Sequence, residues 1–110
     1  MKPIIWLGDS LEIVRTFEPS ARSTAGHNLR RVQAGLLPHD WRPMATVGSG
    51  AVEIRIHGQV EYRVIYVAKF ETAVYVLHAF VKKAQRTPPH DLETAASRYR
   101  MMTERERKLR

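Results

Sequence analysis

Residues 52–86 read VEIRIHGQVEYRVIYVAKFETAVYVLHAFVKKAQR, and the rhythm of this stretch decides the fold. Val52, Ile54 and Ile56 alternate with Glu53, Arg55 and His57, the two-residue period of a half-buried strand. Gly58 marks a turn. From Val60 to Val67 a second alternation puts Tyr62, Val64 and Tyr66 on one face and Arg63, Ile65 and Val67 on the other. Lys69–Thr72 is a longer turn. Ala73–Val81 is then nearly all apolar, as in a strand covered on both faces. Strands joined by such short turns pair antiparallel, so the expectation is a three-stranded meander.

The flanks read as cover for that sheet. Lys2–Leu7 is a short apolar run suited to an edge or central strand, broken by Gly8-Asp9-Ser10. Asp9 and Glu12 have the spacing of a capping box, which predicts a short helix to Phe17. Glu18-Pro19-Ser20 opens a second helix. Ala21, Ala25, Leu29, Val32 and Leu36 form its apolar stripe, and Gly35 is suited to end it. The two helices make a hairpin across one sheet face. Residues 37–50 (LPHDWRPMATVGSG) read as a linker in which Trp41, Pro43 and Met44 plug the edge of the core. After Thr87-Pro88-Pro89 a closing helix starts, with Asp91 and Glu93 suited to its N-terminal dipole and Leu92, Ala95, Tyr99 and Met102 facing inward. Residues 103–110 are polar all round and read as a frayed basic tail. The whole of 1–110 is expected to be a single α+β domain: N-terminal strand, helical hairpin, antiparallel meander, C-terminal helix.

Composition narrows the function classes. No run approaches the length of a membrane span, and four apolar residues before Gly8 are too few for a signal peptide. The absence of cysteine excludes disulfide and thiolate chemistry and fits the cytoplasm. A net charge of +7 points to a polyanionic partner. Its distribution tempers that inference, because residues 98–110 alone hold six basic and two acidic groups. The five histidines show no metal-ligand spacing, so no metal and no cofactor are expected. Gly8-Asp9-Ser10-Leu11 has the look of an esterase nucleophile block, but the chain lacks the larger domain and the downstream Asp-x-x-His that chemistry needs. Gly48-Ser49-Gly50 lacks the lysine of a phosphate loop. Arg30 and Arg31 suit either phosphate contacts or a solvated helix face.

Candidate site residues gather at one end of the meander. Lys82, Lys83 and Arg86 leave the last strand together, Arg55 and Arg63 come from its neighbours, and His78 shares a face with Phe80 and Lys82. Guanidinium forks match phosphate oxygens and aromatic rings stack on unpaired bases. Solvated strand-end charge is the alternative, and a lone strand histidine is either a core residue or a chemical one.

In sequence, Glu53-Ile-Arg55, Tyr62-Arg63-Val-Ile-Tyr66, Leu77-His78-Ala-Phe80-Val-Lys82-Lys83 and Thr87-Pro88 occur in an order that resembles the phage-related HigB-like branch of the RelE/ParE toxin superfamily. Trp41-Arg-Pro-Met44, Val47-Gly48, Asp91-Leu92, Ala95 and Arg98-Tyr99 extend the likeness over nearly the whole chain. The resemblance implies a RelE-like fold and a type II toxin that cuts mRNA on the ribosome and inhibits translation. It implies a catalytic arginine at Arg63, a basic residue near Arg55, and a basic cluster at Lys82, Lys83 and Arg86. It offers Tyr66 and Tyr99 as RNA-binding rings. His78 is taken as general base on its chemistry alone. A cognate antitoxin of helix-turn-helix type is the implied partner beside mRNA and ribosome. A ParE-like gyrase inhibitor and a basic RNA-binding module remain the alternatives.

Overall fold

The computed structural model describes residues 1–83 and 85–109. Eight elements follow in order: β1 (Ile4–Trp6), α1 (Ser10–Arg15), α2 (Pro19–Gln33), β2 (Trp41–Pro43), β3 (Ala51–His57), β4 (Glu61–Val67), β5 (Val74–Lys82) and α3 (Pro89–Lys108). The five strands form one sheet in the order β1-β5-β4-β3-β2. β3, β4 and β5 are the antiparallel meander expected from the alternation. β1 lies parallel to β5, a pairing made possible by the long excursion of chain between them. This is the α+β architecture, one layer of sheet with α1 and α2 on one face and α3 on the other.

Two cores follow from the two faces. Ala21, Ala25, Leu29 and Val32 of α2 pack with Ile54, Ile56, Val64 and Tyr66. On the opposite face Ala95 and Met102 of α3 pack with Ile65, Val67, Tyr75 and Leu77. Central β5 is buried from Val74 to Phe80. An irregularity lets it serve both cores. Ile65 pairs with His78 but Tyr66 with Val76, so Leu77 is the extra residue of a bulge. Val74 and Val76 therefore face α2, whereas Phe80 faces α3 with Tyr75 and Leu77.

Three local expectations are corrected. The stretch 37–50 contains β2, an edge strand paired with β3 through Trp41↔Ile54 and Pro43↔Val52. Pro43 is tolerated there because an edge strand has one side without ladder bonds. Trp41 is exposed rather than plugging the core, and Met44 alone of that trio is buried. Asp9 makes no capping hydrogen bond to α1; its carboxylate is drawn instead to Arg98. The stripe of α2 stops at Val32, because the helix ends before Leu36, which is exposed. Gly35, at φ 87°, makes the reversal in the left-handed region that glycine adopts readily.

The tail is helical to Lys108 instead of fraying from residue 103. Glu106 is buried and accepts hydrogen bonds from Thr72 and Tyr75 Oη, which fastens the last turns to the sheet. Arg110 lies outside the described residues.

Candidate functional site

Strand pairing brings the basic residues together. Arg55 stands opposite Arg63, Arg63 opposite Phe80, and Glu61 opposite Lys82, all on the α3 face of the sheet but beyond the helix. Arg55, Glu61, Arg63, Lys82, Lys83 and Gln85 line a cleft of about 440 Å³. An adjoining groove of about 400 Å³ shares Gln85 and adds Arg42 and Arg86. The cation cluster of the sequence is thus a spatial cluster, with Arg86 next door to the main cleft. A larger hollow of about 800 Å³ runs along α3, but every residue lining it comes from that helix or its cap. It gathers no groups from different elements.

Two arginines directly opposite one another on a sheet repel. Carboxylates offset that cost. Arg63 is 4% exposed, and its Nη1 and Nη2 donate to Glu61 Oε1 at 3.2 Å each, with Nη1 also donating to Tyr62 O at 2.9 Å. Arg55 Nε lies 3.8 Å from Asp40. Beneath them Glu53 is fully buried. Its Oε1 accepts from Arg42 Nε at 2.8 Å and lies 3.6 Å from Arg63 Nε, while Thr87 Oγ1 donates to Oε2 at 3.5 Å. At 3.6 Å Glu53 does not accept from Arg63 Nε, and among the described residues that buried Nε has no hydrogen-bond acceptor, an uncommon state for a buried donor. Arg63 is therefore the floor of the cleft, clamped in orientation by two carboxylates and a carbonyl. Neither Glu53 nor Arg42 is a candidate from the sequence, because a glutamate in an alternating strand reads as solvent-facing.

Lys82 stands opposite Glu61. Burial lowers its pKa first and the charge of Arg63 second, with Arg42 and Arg55 adding to the fall and Glu53 opposing it. An ammonium surrounded by guanidinium groups gives up its proton more readily than one in water.

His57 belongs to the same rim. Its Nε2 donates to Asp40 Oδ2 at 2.6 Å and its Nδ1 to Glu61 Oε1 at 2.7 Å. Both nitrogens can donate only in the imidazolium, and the bonds to Asp40 and Glu61 raise the pKa accordingly. For Glu61, burial pushes upward, but the bonds from His57 and Arg63 outweigh it and the net shift is down.

Other sequence candidates sit elsewhere. His78 is buried under α3: its Nε2 donates to Asp91 Oδ1 at 2.7 Å, and its Nδ1 accepts from Arg98 Nη1 at 3.3 Å. Its ring stacks on Phe80 with centroids 5.4 Å apart. Burial lowers its pKa, the dominant effect over the pull of Asp91. With both nitrogens taken, His78 has none to turn toward substrate. Arg98 also donates to Leu77 O and Asp9, and Gly8 makes room for it: a Cβ there would come within 2.4 Å of the guanidinium carbon.

Tyr66 is buried on the α2 face, and desolvation pushes its hydroxyl to about 12. Tyr99 lies midway along α3. Its hydroxyl donates to Ser49 O at 2.6 Å and accepts from Lys69 Nζ at 2.9 Å, and its ring fills the space a side chain at Gly48 would need. Both rings are occupied in packing, and neither lines the cleft. Ser10 is buried with its hydroxyl aimed at Val76 O, 3.3 Å away, so it is no exposed nucleophile. Among the described residues no group of three or more His, Cys, Asp or Glu is placed to hold a metal ion, and no helix is long and apolar enough to cross a membrane.

Fold and cleft together define a small α+β protein that presents an arginine-floored basic cleft at one end of its sheet. Residues 12–100 match the family described as phage derived protein Gp49-like, and the chain belongs to that family. Membership is consistent with a toxin-like protein, for which an antitoxin partner is implied in general. Comparison with curated proteins finds none that matches.

Proposed function

We propose that the chain is a HigB-like toxin of a type II toxin–antitoxin system, acting in the cytoplasm as a metal-independent endoribonuclease on mRNA held by the ribosome. The observation that supports this reading is the cleft, in which Arg63 forms the floor while Arg55, Lys82 and Lys83 stand around it.

The reaction begins with a ribose 2′-hydroxyl attacking the adjacent phosphate. A new O–P bond forms, the P–O5′ bond breaks, and the products end in a 2′,3′-cyclic phosphate and a 5′-hydroxyl. Charge builds on the phosphorane, and fixed cations that meet it there lower the barrier. Arg63 is suited to that task because its guanidinium is held in one orientation before substrate arrives. Lys82 and Lys83 supply mobile charge at the wall, and Arg42 and Arg86 extend the basic surface along the backbone of a bound strand. Such a protein must be held inactive in its own cell. A small helix-turn-helix antitoxin that covers this cleft with acidic side chains is the partner this reading implies.

Regulated induction tests it. Growth arrest should be accompanied by new 5′-hydroxyl ends inside translated messages. Lys82→Ala and Lys83→Ala, changes at positions that leave the buried Arg63 clamp in place, should relieve the arrest with the protein still folded. Intact transcripts during full arrest would overturn the reading; loss of DNA supercoiling in the same cells would replace it with gyrase inhibition.

A further inference from the structure

The rim of the cleft carries an unbroken line of hydrogen bonds. It runs from Asp40 to His57, from His57 to Glu61, and from Glu61 to Arg63. Glu61 Oε1 accepts from His57 on one side and from both terminal nitrogens of Arg63 on the other. Its second oxygen takes part in none of these bonds. Glu61 is only partly buried, lines the cleft, and stands opposite Lys82 in the β4–β5 ladder. A carboxylate and an ammonium therefore share a cleft whose floor is a guanidinium.

The proposed cleavage requires a base and an acid as well as cations. Glu53 is fully enclosed beneath Arg42 and Arg63, and both nitrogens of His78 are held by Asp91 and Arg98. That leaves the rim. We infer that Glu61 is the general base of this site, Lys82 its general acid, and His57 the positioning residue that fixes the Glu61 carboxylate. The inference rests on the ribonuclease reading above and deepens it.

In the step so assigned, the Glu61 carboxylate takes the proton of the 2′-hydroxyl as the 2′-oxygen bonds to phosphorus. The P–O5′ bond breaks and the Lys82 ammonium gives its proton to the departing 5′-oxygen. Charge and atoms balance without a metal, a water or a redox partner. Glu61 then gives its proton to solvent and Lys82 takes one up from it, which resets both groups. Burial opposes the charge on Glu61, but Arg63 and His57, itself tied to Asp40, outweigh it and keep the carboxylate ionised. Burial first, then Arg63, Arg42 and Arg55 against the opposing pull of Glu53, make the Lys82 ammonium a readier proton donor. Lys83 lines the same cleft and adds to the positive field.

The test is single-turnover cleavage of a defined mRNA on stalled ribosomes, with circular dichroism to establish that each variant folds. Glu61→Gln keeps an oxygen for Arg63 and His57, yet should lower the rate roughly 100-fold or more. Glu61→Ala should regain part of the rate when formate is added, as expected if a proton acceptor is missing rather than a strut. Lys82→Arg should retain binding while the alkaline limb of the pH–rate profile moves upward. His57→Ala should lower kcat about tenfold with KM unchanged, and His57→Gln, which still donates an N–H, should recover most of it. Wild-type rates in folded Glu61→Gln would overturn the assignment while leaving the ribonuclease reading in place. Intact message with wild-type protein at every pH would overturn both.

Discussion

Two histidines of the sheet, one on β3 and one on β5 with β4 between them, are each bonded through both ring nitrogens and behave in opposite ways. His78 sits in the seam between β5 and α3, donating to Asp91 and accepting from Arg98, a pattern only the neutral ring satisfies. His57 sits at the open end of β3, donating to Asp40 and Glu61, a pattern only the charged ring satisfies. Burial lowers the pKa of the first, and two carboxylates raise that of the second. The lesson concerns the regions as well as the residues. In the seam, polar groups are paired off to hold a helix on a sheet. At the rim, charges are paired incompletely and left facing a cleft.

The sharpest way to break that contrast is to remove the carboxylate beneath the rim. Glu53→Ala takes from buried Arg63 one of its two carboxylates and leaves a hole in the buried cluster, and denaturant unfolding should show a loss of about 3–5 kcal/mol. Next comes the seam itself. His78→Ala removes a buried ring and leaves Asp91 and Arg98 short of a partner, for a cost of about 2–3 kcal/mol by the same measurement. Gly8→Ala attacks the seam from the backbone: Gly8 has φ 55°, and its added Cβ would collide with an Arg98 guanidinium pinned by three acceptors. About 2 kcal/mol is expected.

The smallest effect is a difference in sign. A histidine whose folded pKa is lowered releases its proton on folding, so the contribution of His78 grows as pH rises through the window at and below the ordinary histidine value. A histidine whose folded pKa is raised contributes fully below that value and loses the contribution as pH climbs through the higher folded pKa. Subtracting the stability–pH curves of His78→Gln and His57→Gln from wild type should therefore give opposite slopes. The His57 curve should span under about 1 kcal/mol, because the ring is exposed and its ion pairs are screened by water.

Much of the fold was legible because alternation and turn residues report strands directly. The meander, α2 and the inward stripe of α3 follow from apolar spacing, whereas α1 was read from a capping spacing whose side-chain bond does not form. β2 was hidden because a three-residue edge strand ending in proline has no pattern of its own. The bulge at Leu77 was hidden for a related reason: in a strand buried on both faces, one extra residue leaves no trace in the composition.

At the site, the sequence brought Arg55, Arg63, Lys82 and Lys83 together, since all four lie at one end of adjacent strands. It could not show that Glu53 is buried, because the residues enclosing it come from β2, β4 and the approach to α3. His78 drew attention as a lone ionisable group in an apolar strand, yet its partners Asp91 and Arg98 lie in a helix whose docking no local pattern encodes. His57 was passed over as one of several solvent-facing polar residues. Its meaning depends on Asp40, 17 residues earlier in the chain.

The claim at the centre of this account is that the reactive end of the sheet is the rim and not the seam. It is tested most directly by comparing Glu61→Gln and His78→Gln for single-turnover cleavage of ribosome-bound mRNA, at equal concentrations of folded protein. The account predicts a fall of roughly 100-fold or more for Glu61→Gln and a rate within about threefold of wild type for His78→Gln. A rate that collapses with His78→Gln and survives Glu61→Gln would contradict it.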